Sequence, residues 1–228
     1  MISITKLTDA ERAEAIVERL SAEYPDASCT LDFQSPWALM VGAILAAQCT
    51  DERVNKITPV FFDRFPDIQS AAEAELSEIE PIIRSCGLFR NKARAIKGSA
   101  SMIIERFDGR IPETREALLE LPGIGRKIAN LMLGDAFGQQ EIVVDTHCKR
   151  LAKLMGFSTS DDPLAVERDL LSVVPENART RWGHLMVSHG REVCRARCRR
   201  CLSCGVRVLC QYGAAVVDAS DKKEDDCV

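Results

Sequence analysis

Apolar side chains recur along this chain at spacings of three and four, and strand-like alternation is weak. Thr8 to Glu11, "TDAE", has the form of a capping box, and Ile16, Val17, Leu20 and Tyr24 follow at helical spacing until Pro25. Ser35 suits an N-cap and Pro36 a first helical position. The segment they open, "WALMVGAILAA" (Trp37 to Ala47), is apolar nearly all round, which predicts a central, buried helix. Thr50 or Asp51 can cap the next helix, with Val54, Ile57, Val60 and Phe61 turned inward. Similar patterns predict helices near 70–77, 78–86, 91–107, 113–121, 125–136, 146–155, 163–174 and 178–192. The expectation is an all-α fold with short loops and no internal repeat. Residues 214–228 read as an acidic, disordered tail.

Composition narrows this picture. The chain has 228 residues, 46% of them hydrophobic, enough for one large domain or two small ones. Its longest apolar run falls far short of the roughly 20 residues of a membrane span. The N-terminus lacks an apolar signal core, so a cytoplasmic protein with no membrane partner is expected. The net charge is −4, but the charge is segregated. Arg84 to Phe107 holds six bases (Arg84, Arg90, Lys92, Arg94, Lys97, Arg106) and one acid, and Arg191 to Cys210 holds six arginines and one acid. Two basic patches on an acidic body fit either a nucleic-acid surface or ordinary solvated faces.

The segment "LPGIGRKIAN" (121–130) interrupts two helical patterns with a proline and two glycines. Such a hairpin lets Gly123 and Gly125 adopt conformations closed to other residues and present N–H groups at a helix start, where an anion is favoured. Gripping phosphate through main chain positions a protein on DNA without reading sequence. The alternative is a plain helix–helix turn. Lys127 falls in the first turn of the second helix. A lysine amine can attack carbon and form a Schiff base, although most lysines in such places only contact phosphate. Asp145, in "IVVDTH", sits where an apolar run meets a helix start. It can serve as an N-cap, and also accept a proton or balance positive charge on a sugar.

Five of the ten cysteines lie between 194 and 210. Cys194, Cys201, Cys204 and Cys210 form C-x6-C-x2-C-x5-C, a set that can close around zinc or an iron–sulfur cluster. Cys198 offers a rival set, C-x3-C-x2-C-x2-C, and spacing alone does not choose between ligand sets or metals.

Together these motifs resemble the endonuclease III family of DNA glycosylase/AP lyases, within the helix-hairpin-helix glycosylase superfamily. "LPGIGRKIAN", "VVDTHCKRL" and the C-x6-C-x2-C-x5-C run match in order and spacing, as do "AAQCTDERVNK" (46–56), "GLFRNKA" (87–93) and "HGREVC" (189–194). The resemblance covers about residues 8–212. It implies a six-helix barrel over 29–139 that carries the hairpin. A second helical domain, from 1–28 and 140–213, would hold a [4Fe-4S] cluster on Cys194, Cys201, Cys204 and Cys210. Double-stranded DNA with damaged bases or abasic sites would bind across the cleft to a monomer. Lys127 becomes the nucleophile and Asp145 the catalytic carboxylate. Gln48 and Leu88 become the side chains that fill the gap left by an extruded nucleotide. The hairpin residues Leu121, Pro122, Gly123, Ile124 and Gly125, with Arg191, become further DNA contacts. The implied activity is excision of oxidised pyrimidines through a lysine Schiff base, with β-elimination 3′ to the site.

Two departures stand out: Phe89 and Arg90 where the family often has "GLYNSKA", and the extra Cys198. An adenine-mismatch glycosylase of the same superfamily would need a glutamate five residues before Gln48, where this chain has Ala43. A non-catalytic DNA-binding protein with a zinc-pinned loop would leave the Lys127 and Asp145 pairing without a role.

Overall fold

A computed structural model describes residues 7–219. The chain divides into two compact units, one of residues Cys29–Gln139 and one of Met1–Ser28 with Gln140–Val228. Among the described residues there is no strand, only an isolated bridge between Cys194 and Arg199. None of their helices is long and apolar enough to cross a membrane.

The continuous unit holds α2 (Pro36–Leu45), α3 (Asp51–Arg64), α4 (Ile68–Glu73), α5 (Leu76–Ile83), α6 (Phe89–Phe107), α7 (Arg115–Glu120) and α8 (Arg126–Leu131). Ser35 caps α2 by accepting from Ala38 N, and Trp37 and Leu39 to Leu45 are all buried. Each aliphatic side chain so buried contributes about 1.5–3 kcal/mol, which makes this helix the centre of its core. On α3 the inward face is Val54, Thr58 and Phe61; Val60, expected inward, is 55% exposed. The starts of α4 and α5 fall earlier than the apolar pattern predicts, because capping boxes at Asp67/Ser70 and Glu75/Glu78 fix them. The helix expected over 125–136 is α-helical only to Leu131 and continues as a π-helical turn over Met132–Ala136.

The discontinuous unit holds α1 (Asp9–Glu23), α9 (Thr146–Met155), α10 (Pro163–Leu171), α11 (Arg179–Glu192) and α12 (Gln211–Ala219). Its core is built on Ile16, Leu20, Leu151, Leu170, Trp182, Leu185 and Met186. Arg12 joins its distant segments. The buried guanidinium donates to Met155 O and Leu209 O, both at 2.8 Å, pairs with Asp9 and stacks 4.4 Å over Phe157. The disordered tail expected from 214 requires correction: residues 214–219 belong to α12, while 220–228 lie outside the described residues. Apolar Ala214, Ala215, Val216 and Val217 continue the helix past the point where acidic residues begin to dominate.

Candidate active site

The hairpin is built on buried anchors. Leu121 and Ile124 are core residues, 2% and 6% exposed, and Ile124 N donates to Leu121 O at 3.1 Å. The Ser99 hydroxyl of α6 donates to Pro122 O at 2.8 Å. Gly123 has φ 80°, and a Cβ there would lie 2.7 Å from Ala95 Cβ, so only glycine fits. Gly125 does not meet the sequence expectation: its φ is −96° and a Cβ would meet nothing within 4 Å. Gly123, Gly125, Arg126 and Lys127 form the exposed part of the turn. Gly125 is the N-cap of α8, whose first N–H groups have no partner within the helix. Lys127 stands in that first turn with its side chain exposed.

Two other exposed turns belong to the same unit. Gln48 follows the end of α2 with φ 54°, and Leu88 precedes α6 with φ 48°. Leu88 is 52% exposed, so it is not the core leucine that its hydrophobicity alone would suggest. Beside it, Arg90 lies 4.9 Å over the Phe89 ring. Lys92, which the charge pattern assigns to a basic surface patch, is buried instead.

In the other unit Asp145 is the N-cap of α9. It is half-buried, and its Oδ1 accepts from Cys148 N at 2.7 Å. Arg150, one turn on, donates to Cys194 O at 2.6 Å. Gly190 lets α11 approach α9, since a Cβ there would lie 2.5 Å from His147 Nδ1. Arg191 is exposed in the last turn of α11.

Cys194, Cys201, Cys204 and Cys210 line one cavity together with His189, Arg199 and Tyr212. Cys198 is not among the lining residues. Among the described residues no three His, Cys, Asp or Glu groups converge closely enough to hold one metal ion. His189 Nε2 lies 3.5 Å from Cys204 Sγ, its Nδ1 lies 3.3 Å from the Tyr24 hydroxyl, and Gly213 N donates to Cys210 Sγ at 3.4 Å. Burial pushes the Cys194 thiol up to about 11 and the Cys204 thiol up to about 12, so loading a metal there must displace protons. Arg199 donates to the Tyr212 hydroxyl and stacks 5.1 Å over its ring, whereas Arg195, Arg197 and Arg200 are exposed. His189, Arg150 and Lys92 lie within the runs "HGREVC", "VVDTHCKRL" and "GLFRNKA", but the sequence assigned none of them a structural role. Their partners are distant in sequence or are main-chain carbonyls, which a local pattern does not reveal.

Residues 41–176 match the HhH-GPD superfamily of base excision DNA repair proteins. The chain is 46% identical to endonuclease III of Synechocystis sp. over 90% of its own length and 94% of that protein. The chain belongs to the endonuclease III family. Endonuclease III of Escherichia coli is 36% identical over 90% of this chain and 97% of its own length. A trapped endonuclease III–DNA covalent intermediate superposes with a TM-score of 0.85 at 37% identity, covering 92% of this chain and 99% of that one. A thermostable thymine-DNA glycosylase, 23% identical with a TM-score of 0.80, shares the fold.

Proposed function

We infer that this endonuclease III family member is a bifunctional DNA glycosylase and AP lyase of base excision repair, acting on oxidised pyrimidines and abasic sites in duplex DNA. The observation that carries this reading is an exposed amine, Lys127, in the first helical turn after a glycine hairpin, in a chain that superposes on a relative trapped covalently on DNA. A DNA-repair enzyme acts where the DNA lies, which puts its work at the nucleoid.

The damaged base must leave the stack before its glycosidic bond can be reached. Gln48 and Leu88 fill the space it vacates, and the exposed hairpin main chain with Arg191 holds phosphate. The Lys127 amine attacks C1′ of the deoxyribose as the C1′–N bond breaks and the electron pair leaves with the base. Loss of a proton from nitrogen and opening of the sugar ring give an imine. The imine acidifies the C2′ proton, and its removal expels the 3′ phosphate. Asp145 balances the positive charge on the sugar and accepts a proton; its N-cap bond fixes the carboxylate in place. The two residues belong to different units of the chain.

Cys194, Cys201, Cys204 and Cys210 would hold a [4Fe-4S] cluster. Zinc requires four sulfurs about 2.3 Å from one point, whereas a four-iron cluster takes one thiolate at each iron. Four thiols lining one cavity, in the C-x6-C-x2-C-x5-C spacing of the family motif, support the cluster. When bound, the group supplies a cross-link for the loop and a redox centre, not hydrolysis.

Borohydride trapping on a duplex with an oxidised pyrimidine tests the assignment. Lys127→Gln keeps a long polar side chain without a nucleophilic amine, and should bind the duplex yet lose trapping and strand cleavage. Asp145→Asn should bind as well, with base excision slowed about 10²- to 10⁴-fold. Undiminished trapping by Lys127→Gln would assign the chemistry to another amine.

A further inference from the structure

Lys92 lies on α6, four residues beyond Leu88, and is 4% exposed. Its ammonium donates to Leu45 O at 2.8 Å and to Cys86 O at 2.7 Å. Burying a cation costs several kcal/mol, and a methionine would fill the same space at no such cost. The two carbonyls explain the choice. Leu45 ends α2, three residues before Gln48, and Cys86 ends a 3₁₀ turn two residues before Leu88. Carbonyls at helix ends lack helical partners, so one ammonium satisfies an acceptor from each of two separate turns.

The backbone shortly beyond each carbonyl is unusual. Gln48 and Leu88 are two of three non-glycine residues with positive φ among those described, Asp108 being the third. Left-handed backbone is strained for a non-glycine residue and persists where the surroundings over-determine it. Cys86 also neighbours Cys49, the residue after Gln48, so the two turns lie close at a second point.

We propose that Lys92 is a positioning residue for lesion recognition: its single ammonium, held by Leu45 O and Cys86 O, locks the turns carrying Gln48 and Leu88 at a fixed separation, so that both side chains enter the duplex together. The proposal rests on the assignment of Gln48 and Leu88 as gap-filling residues. It adds a buried residue that touches neither DNA nor the reacting atoms. Extruding a stacked, paired base costs more than displacing an abasic sugar. Loss of the lock therefore weighs on base excision more than on cleavage at an abasic site.

The test is Lys92→Met, which keeps length and bulk but donates nothing. Excision of an oxidised pyrimidine should fall about 10- to 100-fold, as expected for misplaced positioning groups. Cleavage at a preformed abasic site, normalised to trappable enzyme, should fall less than about threefold, since its demand for unstacking is smaller. A double-mutant cycle with Leu88→Ala should be strongly non-additive, because the lysine acts through the wedge. Equal losses on both substrates, or additive effects, overturn the proposal. Should Lys92→Met not fold, a cycle between Gln48→Ala and Leu88→Ala takes its place, with coupling of at least about tenfold expected for turns that act as one and additivity overturning it. Wild-type enzyme that is not trapped on the lesion duplex would refute the function itself; trapped wild type with unchanged Lys92→Met refutes only the lock.

Discussion

Gly123 turns with φ 80° against Ala95, whereas Gly125, two residues on, has φ −96° and open space where a side chain would go. The first is glycine for the fold. The second needs no left-handed backbone and has open space beside it, which is what the proposed approach of phosphate to bare main chain requires. Gly123→Ala should therefore cost about 2–4 kcal/mol of stability, from left-handed strain together with overlap on Ala95. Gly125→Ala should leave the thermal midpoint unchanged and weaken duplex binding, because its methyl group stands where phosphate would approach. Melting curves and fluorescence anisotropy of the two variants separate the cases. A strongly destabilised Gly125→Ala, or one with unimpaired binding, would contradict this division of labour. The same contrast applies to lysines: Lys127 is exposed, as the proposed chemistry requires, and Lys92 is buried, as the proposed positioning role requires.

The cysteine loop, from Cys194 to Cys210, has only short 3₁₀ turns at Cys201–Ser203 and Arg207–Leu209 of its own. It is held at its start by Arg150, at its end by Arg12, and at Cys210 by the N–H of Gly213 at the start of α12. A cluster would complete that set of ties. Cys201→Ser should give a colourless, poorly folded protein, while Cys198→Ser should keep the visible absorption, since Cys198 does not line the cavity. Absorption spectra of the purified variants decide it, and bleaching by Cys198→Ser with colour retained in Cys194→Ser would reverse the ligand choice. The arginines of this segment divide likewise. Arg199 is engaged with Tyr212, whereas Arg195, Arg197 and Arg200 are exposed.

Taken as a whole, the molecule keeps several thiols protonated beyond their ordinary range. Burial pushes Cys29 and Cys86 up to about 11 from the ordinary 9.0, and Cys148, fully buried, is raised further. In the unfolded chain these thiols ionise near pH 9, so between pH 9 and about 11 the folded state binds more protons than the unfolded one. Stability conferred by the buried neutral thiols is complete below pH 9 and declines as pH rises through that window. Lys92, lowered by burial, acts in the opposite direction, but one amine is set against three thiols. Urea midpoints should fall between about pH 8 and about pH 10.5, a flat profile being inconsistent with these thiols staying protonated in the fold.

Helix positions were largely legible in the sequence because they depend on nearby residues: the Thr8/Glu11 box, the Ser35–Pro36 start, the Asp145 cap and the 3.6-residue spacing are all local. The family motifs were legible for the same reason, each being a short run whose chemistry is carried by its own residues. The tertiary structure decided the features that depend on distant partners. It placed Val60 on the surface and Lys92 in the core, turned Arg199 into the loop, and continued the last helix over α9 through Ala219. A charge pattern does not encode burial. Whether a lysine faces water or two carbonyls depends on where other helices end, and for Lys92 one of those ends, Leu45, lies 47 residues away along the chain.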